Sequence, residues 1–571
     1  MTNWEIGQVF DEIADLLEIL GENPFKARAY RRAARVLENT YLDVERLVKE
    51  DRLEELPGIG SALAAKIKEL VETGELRYYK DLKQKVPPGL REMLQIPGVG
   101  AKTVQMLYQH LRLASLEELE AAARARRLRE LPGIGKKTEE AILRGIESMR
   151  ERQKRYPLHI ATAVAREIKK YLEKQVMVEK VEVAGSYRRG KETVGDLDFV
   201  VAADHPSLVV KKFVEAPWVQ EVVAEGEMKT TVLTRWGIQA DLLAVKPPLF
   251  ISALQHFTGS PAHNISLRER AREQGWKISE YGIFQGGKPC HPESEEDFYK
   301  LLGMSYIPPE LREDQGEIEA AQLDKLPRLV EKTDIKGDLH VHSDWSDGVN
   351  TLEELALAAR ARGYQYLAIT DHSKSLGVTH GLTEEKLLQQ RDAISRLNQE
   401  LKGFRLLAGI EVDILSNAKL DFDDKILAEM DLVVASIHSG FKQDRESLTE
   451  RIIAALKNEH VDILGHPTGR LLGRRDPYPL DITRVLEAAA KTGTALEINA
   501  SPDRLDLKDV YIREGKELGV LFAVNTDAHE ISYLDDMQYG VLTARRGWAE
   551  AKDIINTFSY QKLKRWLKKR G

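Results

Sequence analysis

Seven strand-like runs, each separated from the next by a segment long enough for a helix, fill the C-terminal part of the chain: GDLHVHS, YLAITDHS, LLAGIEVDI, LVVASIHS, VDILGHP, TALEINA and LFAVNTDAH. Strands spaced this way pair in parallel through crossovers, so the region is expected to fold as a β/α barrel. Every run ends in a residue able to bind a metal: His340 and His342, His372, Glu411, His438, His466, Asn499, then Asp527 and His529. Barrel chemistry sits at the C-terminal ends of the strands, which is where these side chains fall. His340 and His342 stand two apart, so they share one face of the first strand. Mixed imidazole and carboxylate ligands suit Zn²⁺, Mn²⁺ or Fe²⁺ better than Mg²⁺. The plainer alternative is a scatter of unrelated core and surface histidines.

At 571 residues the chain is too long for one hydrophobic core. Its front is helical in pattern and carries an internal repeat: LPGIG at Leu56–Gly60, IPGVG at Ile96–Gly100 and LPGIG at Leu131–Gly135. Each is a Pro-Gly-aliphatic-Gly turn entering a helix, whose first N–H groups can donate to a phosphate oxygen. This is a helix-hairpin-helix grip on a nucleic-acid backbone, made without reading bases. The candidate contacts are Gly58, Gly60, Gly98, Gly100, Gly133 and Gly135, with Lys102, Lys136, Lys137 and the basic stretch Ala123–Arg127 nearby. Tight turns in a helical bundle are the alternative.

In the middle, GSYRRGKETVGDLD runs from Gly185 to Asp198 between two strand patterns. Asp196 and Asp198 project from the same face of the second strand, and such a pair repels unless a cation lies between. GIQADLLAV places Asp241 in a further, otherwise apolar strand. Three carboxylates on adjacent strands would hold two Mg²⁺ or Mn²⁺ ions, the arrangement used for in-line phosphoryl transfer.

Residues 1 to about 317 resemble a family X DNA polymerase. The resemblance rests on GS…GDLD, on HFTGSPAHNISLR at His256–Arg268 and on YIPPELRE at Tyr306–Glu313. It implies that Asp196, Asp198 and Asp241 are the metal-binding carboxylates, and that Ser186, Arg189, Arg155 and Gly195 serve the triphosphate. It also implies that Phe257 and Gly259 line the sugar pocket, that Asn264 faces the incoming base and that Arg268 faces the template strand. His256 stands where better-known members have Tyr, which leaves discrimination between deoxyribose and ribose open. Lys66 matches the position of a lyase nucleophile, with Lys26 and Tyr30 at supporting positions. Ala62 and Phe25 replace other members of that pocket, so Lys66 reads equally as a phosphate contact.

The barrel is similar to the polymerase-and-histidinol-phosphatase (PHP) domain. That resemblance implies three ions: the first on His340, His342, Glu411 and Asp527, the second on a bridging Glu411 with His438 and His466, the third on Asp347, His372 and His529. Arg470, Arg474 and Arg475 either grip phosphates there or form a solvated loop. The expected order is an all-α helical domain (1–90), fingers (91–155), an α+β palm (156–250), a thumb (251–317), a linker (318–335) and a distorted seven-stranded PHP barrel (336–571).

The expected activity is gap-filling DNA synthesis in repair with 3′–5′ exonuclease action. Cleavage at abasic sites and removal of 3′ phosphates remain open. The rivals are a DNA-tethered phosphoesterase for small molecules and a barrel that only scaffolds the polymerase. One cysteine, Cys290, excludes an internal disulfide framework and fits a reducing cytoplasm. No signal-peptide pattern or apolar run of about 18 residues is present. The net charge of −7 does not advertise a nucleic-acid binder. The expected partners are gapped or primer-template DNA and dNTPs, bound by a monomer.

Overall fold

The computed structural model describes residues 3–39, 44–56, 58–94, 96, 99–153, 155–279, 282–376 and 379–568. Gly98 lies outside the described residues. The chain divides into two compact units, residues 1–154 and 155–571.

The first unit is helical. The aliphatic residue of each repeat (Ile59, Val99, Ile134) is buried in its core. All three make the same turn hydrogen bond, to the carbonyls of Leu56, Ile96 and Leu131. The helices Ser61–Thr73, Ala101–Leu111 and Lys136–Gln153 follow directly.

The second unit begins with a five-stranded sheet in the order Lys180–Val183, Asp196–Ala202, Gln239–Val245, Lys229–Thr234, Val219–Glu225. Asp196–Ala202 and Gln239–Val245 run parallel, with Asp198 opposite Asp241. Their continuous apolar ends, Phe199–Ala202 and Leu242–Val245, are buried. Helices Phe250–Thr258 and Pro261–Glu273 and a small three-stranded sheet follow. The stretch expected as a linker is packed: Ile318, Ala321 and Val330 are buried, and Glu317 lies against His263 in the interior.

All seven expected barrel strands form, in sequential parallel order, from Gly337–Val341 to Phe522–Asn525. The barrel is nearly closed. Between first and last strand the seam is carried by a bridge at Val341 and Ala528, where His342 N donates to Ala528 O at 2.9 Å, and by Asp527 N to His340 O at 3.0 Å. Among the described residues no helix is long and apolar enough to cross a membrane.

The barrel docks on the five-stranded region through helix Met537–Arg546. Its Tyr539 and the neighbouring Leu505 belong to the same core as Phe199 and Leu242. Gly190, with φ of +65°, lies so close to Leu542 that a β-carbon there would enter the leucine side chain. Gly190→Ala combines that overlap with left-handed backbone strain, and is expected to destabilise the second unit by about 1–3 kcal/mol. A lower melting temperature for the full chain would register this, and an unchanged one would mean that the helix yields.

Candidate metal centres

The seven strands deliver their polar ends to one mouth. Glu411 lies inside its strand, while His342, His372, His438, His466, Asp527 and His529 stand just past the ends of theirs. Glu411 is the hub. Its Oε1 lies 3.1 Å from His466 Nε2, 3.3 Å from His438 Nε2 and 3.5 Å from His340 Nε2. Its Oε2 lies 2.8 Å from His372 Nδ1 and 3.7 Å from His342 Nε2. The carboxylate itself is 1% exposed, so only opposite charge can hold it ionised there.

Three sets of donor atoms come close enough to share an ion: His342, Asp347, His372 and His529; His340, His342 and Asp527; His372, Glu411 and His438. His372 therefore sits between Asp347 and Glu411, where the resemblance assigns it to the third ion alone. His466 completes the Glu411 side.

Several of these buried atoms have no hydrogen-bond partner: His340 Nε2, His342 Nδ1, His372 Nδ1, His466 Nδ1 and Glu411 Oε2. His372 Nδ1 and Glu411 Oε2 are 2.8 Å apart yet approach off the hydrogen-bonding direction. Unpartnered buried lone pairs are costly in a protein interior, and they are the donor set a cation requires. The residues fit a metal cluster.

The protonation pattern agrees. Burial opposes charge on His372, but Glu411 and Asp347 carry its pKa up to about 10. Burial likewise opposes charge on His438, which Glu411 and Asp413 raise to about 9. Burial, with His529 and His372 beside it, pushes His342 down to about 3. Burial would raise Glu411 and Asp527, yet the surrounding imidazoles hold both well below the usual carboxylate range.

The second cluster is in the five-stranded sheet. Asp196 and Asp198 share a face, and Asp241 is the register partner of Asp198. Burial, then Asp196 and Asp241, raise Asp198 to about 7. Gly185 has φ of +60°, and a β-carbon there would strike the Asp198 carboxylate. The GS turn is thus closed down over the acids. Arg189 is held by Nη1 on Thr258 O at 2.8 Å and by Nε on Glu313 at 3.0 Å. Arg155 donates to Thr193 Oγ1 at 2.9 Å and to the Thr193 carbonyl at 2.5 Å, and it stands close to Gly195. Ser186 lies in the turn helix Gly185–Arg188. Asn264 donates to His256 O at 2.6 Å and accepts from Gln255 Nε2 at 3.2 Å, while Arg268 Nε donates to Asn264 O at 3.2 Å. A β-carbon on Gly259 would meet Asn264, and Phe257 packs edge-on against His256.

Family models match along the chain: a helix-hairpin-helix domain at 1–76, a SAM-like helix-hairpin-helix tandem at 90–148, the DNA polymerase beta palm at 155–240, the DNA polymerase beta thumb at 253–313 and the PHP domain at 338–501. The DNA polymerase/3′-5′ exonuclease PolX of Bacillus subtilis (strain 168) is 43% identical over 569 residues, covering 99% of each chain. This chain belongs to the PolX family. A probable phosphatase of Thermoanaerobacter sp. (strain X514) is 31% identical over 245 residues, 41% of this chain and 94% of that protein. A probable phosphatase of Syntrophotalea carbinolica is 34% identical over 169 residues, 29% of this chain and 65% of that protein.

Sequence reasoning missed the residues that orient the ligands in this PolX barrel. Glu497, fully buried, accepts from His340 Nδ1 at 2.7 Å and from His466 N at 2.7 Å. Asp413 lies 2.6 Å from His438 Nδ1. Such partners fix ring orientation and tautomer. A period-two reading would have found both, since Asp413 follows Glu411 by two and Glu497 precedes Asn499 by two. Asn499 itself donates to Asp527 and Glu497, both at 3.1 Å. Arg504 was also missed; its buried Nη1 has no partner and its Nε is 3.7 Å from Asp527. Arg470, by contrast, is spent on Glu192 at 2.8 Å and on the Leu505 carbonyl. Arg474 faces Asp503 at 3.6 Å, and Arg475 stacks on Phe441.

In the first unit Gly58 and Gly133 take φ of +85° and +82°, while a β-carbon on Gly60, Gly100 or Gly135 would meet nothing within 4 Å. Packing does not demand glycine at those three positions, which leaves room for an outside group. Lys136 pairs loosely with Glu140 at 3.8 Å. Lys66 and Lys26 both lie over the Tyr78 ring, at 5.4 and 4.9 Å, and Tyr30 stacks on the same ring at 6.1 Å between centroids.

If the three aspartates bind a cation, the raised pKa of Asp198 would make that binding pH-dependent. A carboxylate must lose its proton to ligate, and a group titrating near 7 is largely protonated below that pH. Mg²⁺ affinity should fall as pH drops from about 8 to about 6, with protons released on binding. Calorimetry in buffers of different ionisation enthalpy measures both, and equal affinity without proton release would refute it.

Proposed function

We propose that this chain is a DNA-directed DNA polymerase that fills short gaps during repair in the cytoplasm, and that its barrel is a metal-dependent 3′–5′ exonuclease. The observation that carries this reading is the presence, in one compact unit, of two separate clusters with different ligand character. The all-carboxylate trio of Asp196, Asp198 and Asp241 suits a pair of Mg²⁺ or Mn²⁺ ions. The imidazole-rich set around Glu411 suits up to three of Mn²⁺, Zn²⁺ or Fe²⁺. The whole-length likeness to a DNA polymerase/3′-5′ exonuclease supports both halves.

In the palm (156–250), Ser186, Arg189 and Gly195 take the triphosphate together with Arg155 just before it, with Arg189 oriented by Thr258 and Glu313. His256, Phe257 and Gly259 shape the sugar side, and Asn264 and Arg268 face base and template. In the barrel, His340, His342, Asp347, His372, Glu411, His438, His466, Asp527 and His529 are the ligands, and Arg504 offers its unpartnered guanidinium edge to a phosphate. Divalent ions bound at either cluster would activate a nucleophile and neutralise charge on the departing oxygen. The hairpin glycines with Lys102 and Lys136 hold the DNA backbone.

Asp198→Ala should reduce nucleotide addition below about 1% of the parent rate while 3′ degradation persists, because the ligands lie on separate sheets. Glu411→Ala should do the reverse and lower bound metal by more than one ion per chain, whereas His372→Ala should lower it by about one. Primer extension, primer degradation and metal analysis on the same preparations decide the matter: loss of both activities in a folded Asp198→Ala protein would defeat the two-site reading. Gly100→Val should fill the open space beside the second turn and weaken gapped-DNA binding by roughly an order of magnitude without altering sequence preference. Unchanged binding at moderate salt would make that turn purely structural.

A further inference from the structure

The last turn of the barrel helix Met537–Arg546 reaches the nucleotide turn of the palm. Arg546 Nη1 donates to the carbonyl of Arg189 at 2.8 Å and lies 3.1 Å from Glu313 Oε1. The same Glu313 oxygen accepts from Arg189 Nε at 3.0 Å and lies 3.1 Å from Lys191 Nζ. The other edge of Arg546 is clamped on Asp509, by Nε at 2.9 Å and Nη2 at 2.7 Å. Arg546 is 5% exposed, so these charges act with little screening by water. One residue further along the turn, Gly190 rests against Leu542 of the same helix.

The backbone of Arg189 is thus set by the barrel, and its side chain by a carboxylate that the barrel shares. The local charge shows what this arrangement does. Arg189, Lys191 and Arg546 face Glu313 and Asp509, which leaves one net positive charge at the turn. Removing Arg546 leaves no net charge. It also leaves Asp509 without its buried partner and Glu313 with only Arg189 and Lys191 to neutralise it, so that Glu313 competes with any incoming phosphate for Arg189. Removing one partner from such a buried group is far more disruptive than its net stabilisation suggests.

We propose that Arg546 is a positioning residue for nucleotide binding: from the barrel it fixes, through the Arg189 carbonyl and the Glu313 carboxylate, the palm arginine that takes the triphosphate. The proposal rests on the reading of Arg189 given above. Arg545 supplies an internal control. It makes the same interface, donating to Glu310 at 2.7 Å and to Val330 O at 3.0 Å, and it bonds to neither Arg189 nor Glu313.

The test is single-nucleotide insertion on gapped DNA by the full chain, with kcat and dNTP KM determined separately. Arg546→Ala is expected to raise dNTP KM by roughly tenfold, as loss of a charged hydrogen-bonded contact does, with kcat within about twofold. Degradation of 3′ ends and barrel metal content should stay at parent levels, which certifies the fold. Arg545→Ala should leave KM within about twofold, and Arg546→Lys should recover part of the loss. Glu313→Gln alters the relay from the thumb side by removing the carboxylate that orients Arg189, and should raise KM through that lost orientation; adding Arg546→Ala to it should add little, since no Glu313 carboxylate is left to compete for Arg189. An unchanged KM for Arg546→Ala, or full additivity with Glu313→Gln, overturns the proposal while leaving Arg189 in place. If Arg189→Ala itself leaves KM unchanged, the triphosphate reading falls and takes this proposal with it.

Discussion

A single buried carboxylate organises the barrel. Glu411 lies within 3.7 Å of five imidazoles, brought by four other strands. An isolated carboxylate at that depth would be strongly destabilising. Its presence obliges the strands to end where they do, each delivering a compensating group. The outer partners follow from the same need. Glu497 and Asp413 hold His340 and His438 from behind, and Asp371 accepts from Ser343, Ser346 and Gln390 to fix the loop that leads to Asp347. His466 and Asp527 take positive φ, of 26° and 56°, where non-glycine backbone is strained. Strain of this kind persists only where the surroundings impose it.

The palm reaches a related arrangement by opposite means. There the acids gather without imidazoles, and burial together with repulsion from Asp196 and Asp241 raises the Asp198 pKa to about 7. The barrel cluster sets imidazoles among its acids, while the palm cluster consists of carboxylates alone. Two clusters of opposite electrostatic habit in one compact unit fit two ion preferences and two pH responses.

Most of the architecture was legible because it is periodic. The seven runs stand out by alternation with helix-length segments, and GDLD marks one face of a strand by its spacing of two. The three hairpin turns were readable because they repeat. What escaped has no local signature. Arg546 sits in TARRGW, which nothing distinguishes from a solvated helix end, and Leu542 gains its meaning only from Gly190, some 350 residues earlier. Contacts across such distances leave no pattern in either segment. Arg470 is the converse case: its place just after His466 suggested either a phosphate grip or a solvated loop, and in the fold it is buried and paired with Glu192. Glu497 and Asp413 were hidden differently, as lone acids in apolar strands overshadowed by the ligand beside them.

The seam of the barrel links its chemistry to its cohesion. The first and last strands are joined by few backbone bonds, yet His340 and His342 on one side face Asp527 on the other, at 3.5 and 3.0 Å. Whatever ties those side chains together also latches the cylinder shut. A group held jointly by those side chains would therefore also brace the seam. Amide protons of Asp527 and His342 should exchange with solvent at a rate set by how tightly that latch is held.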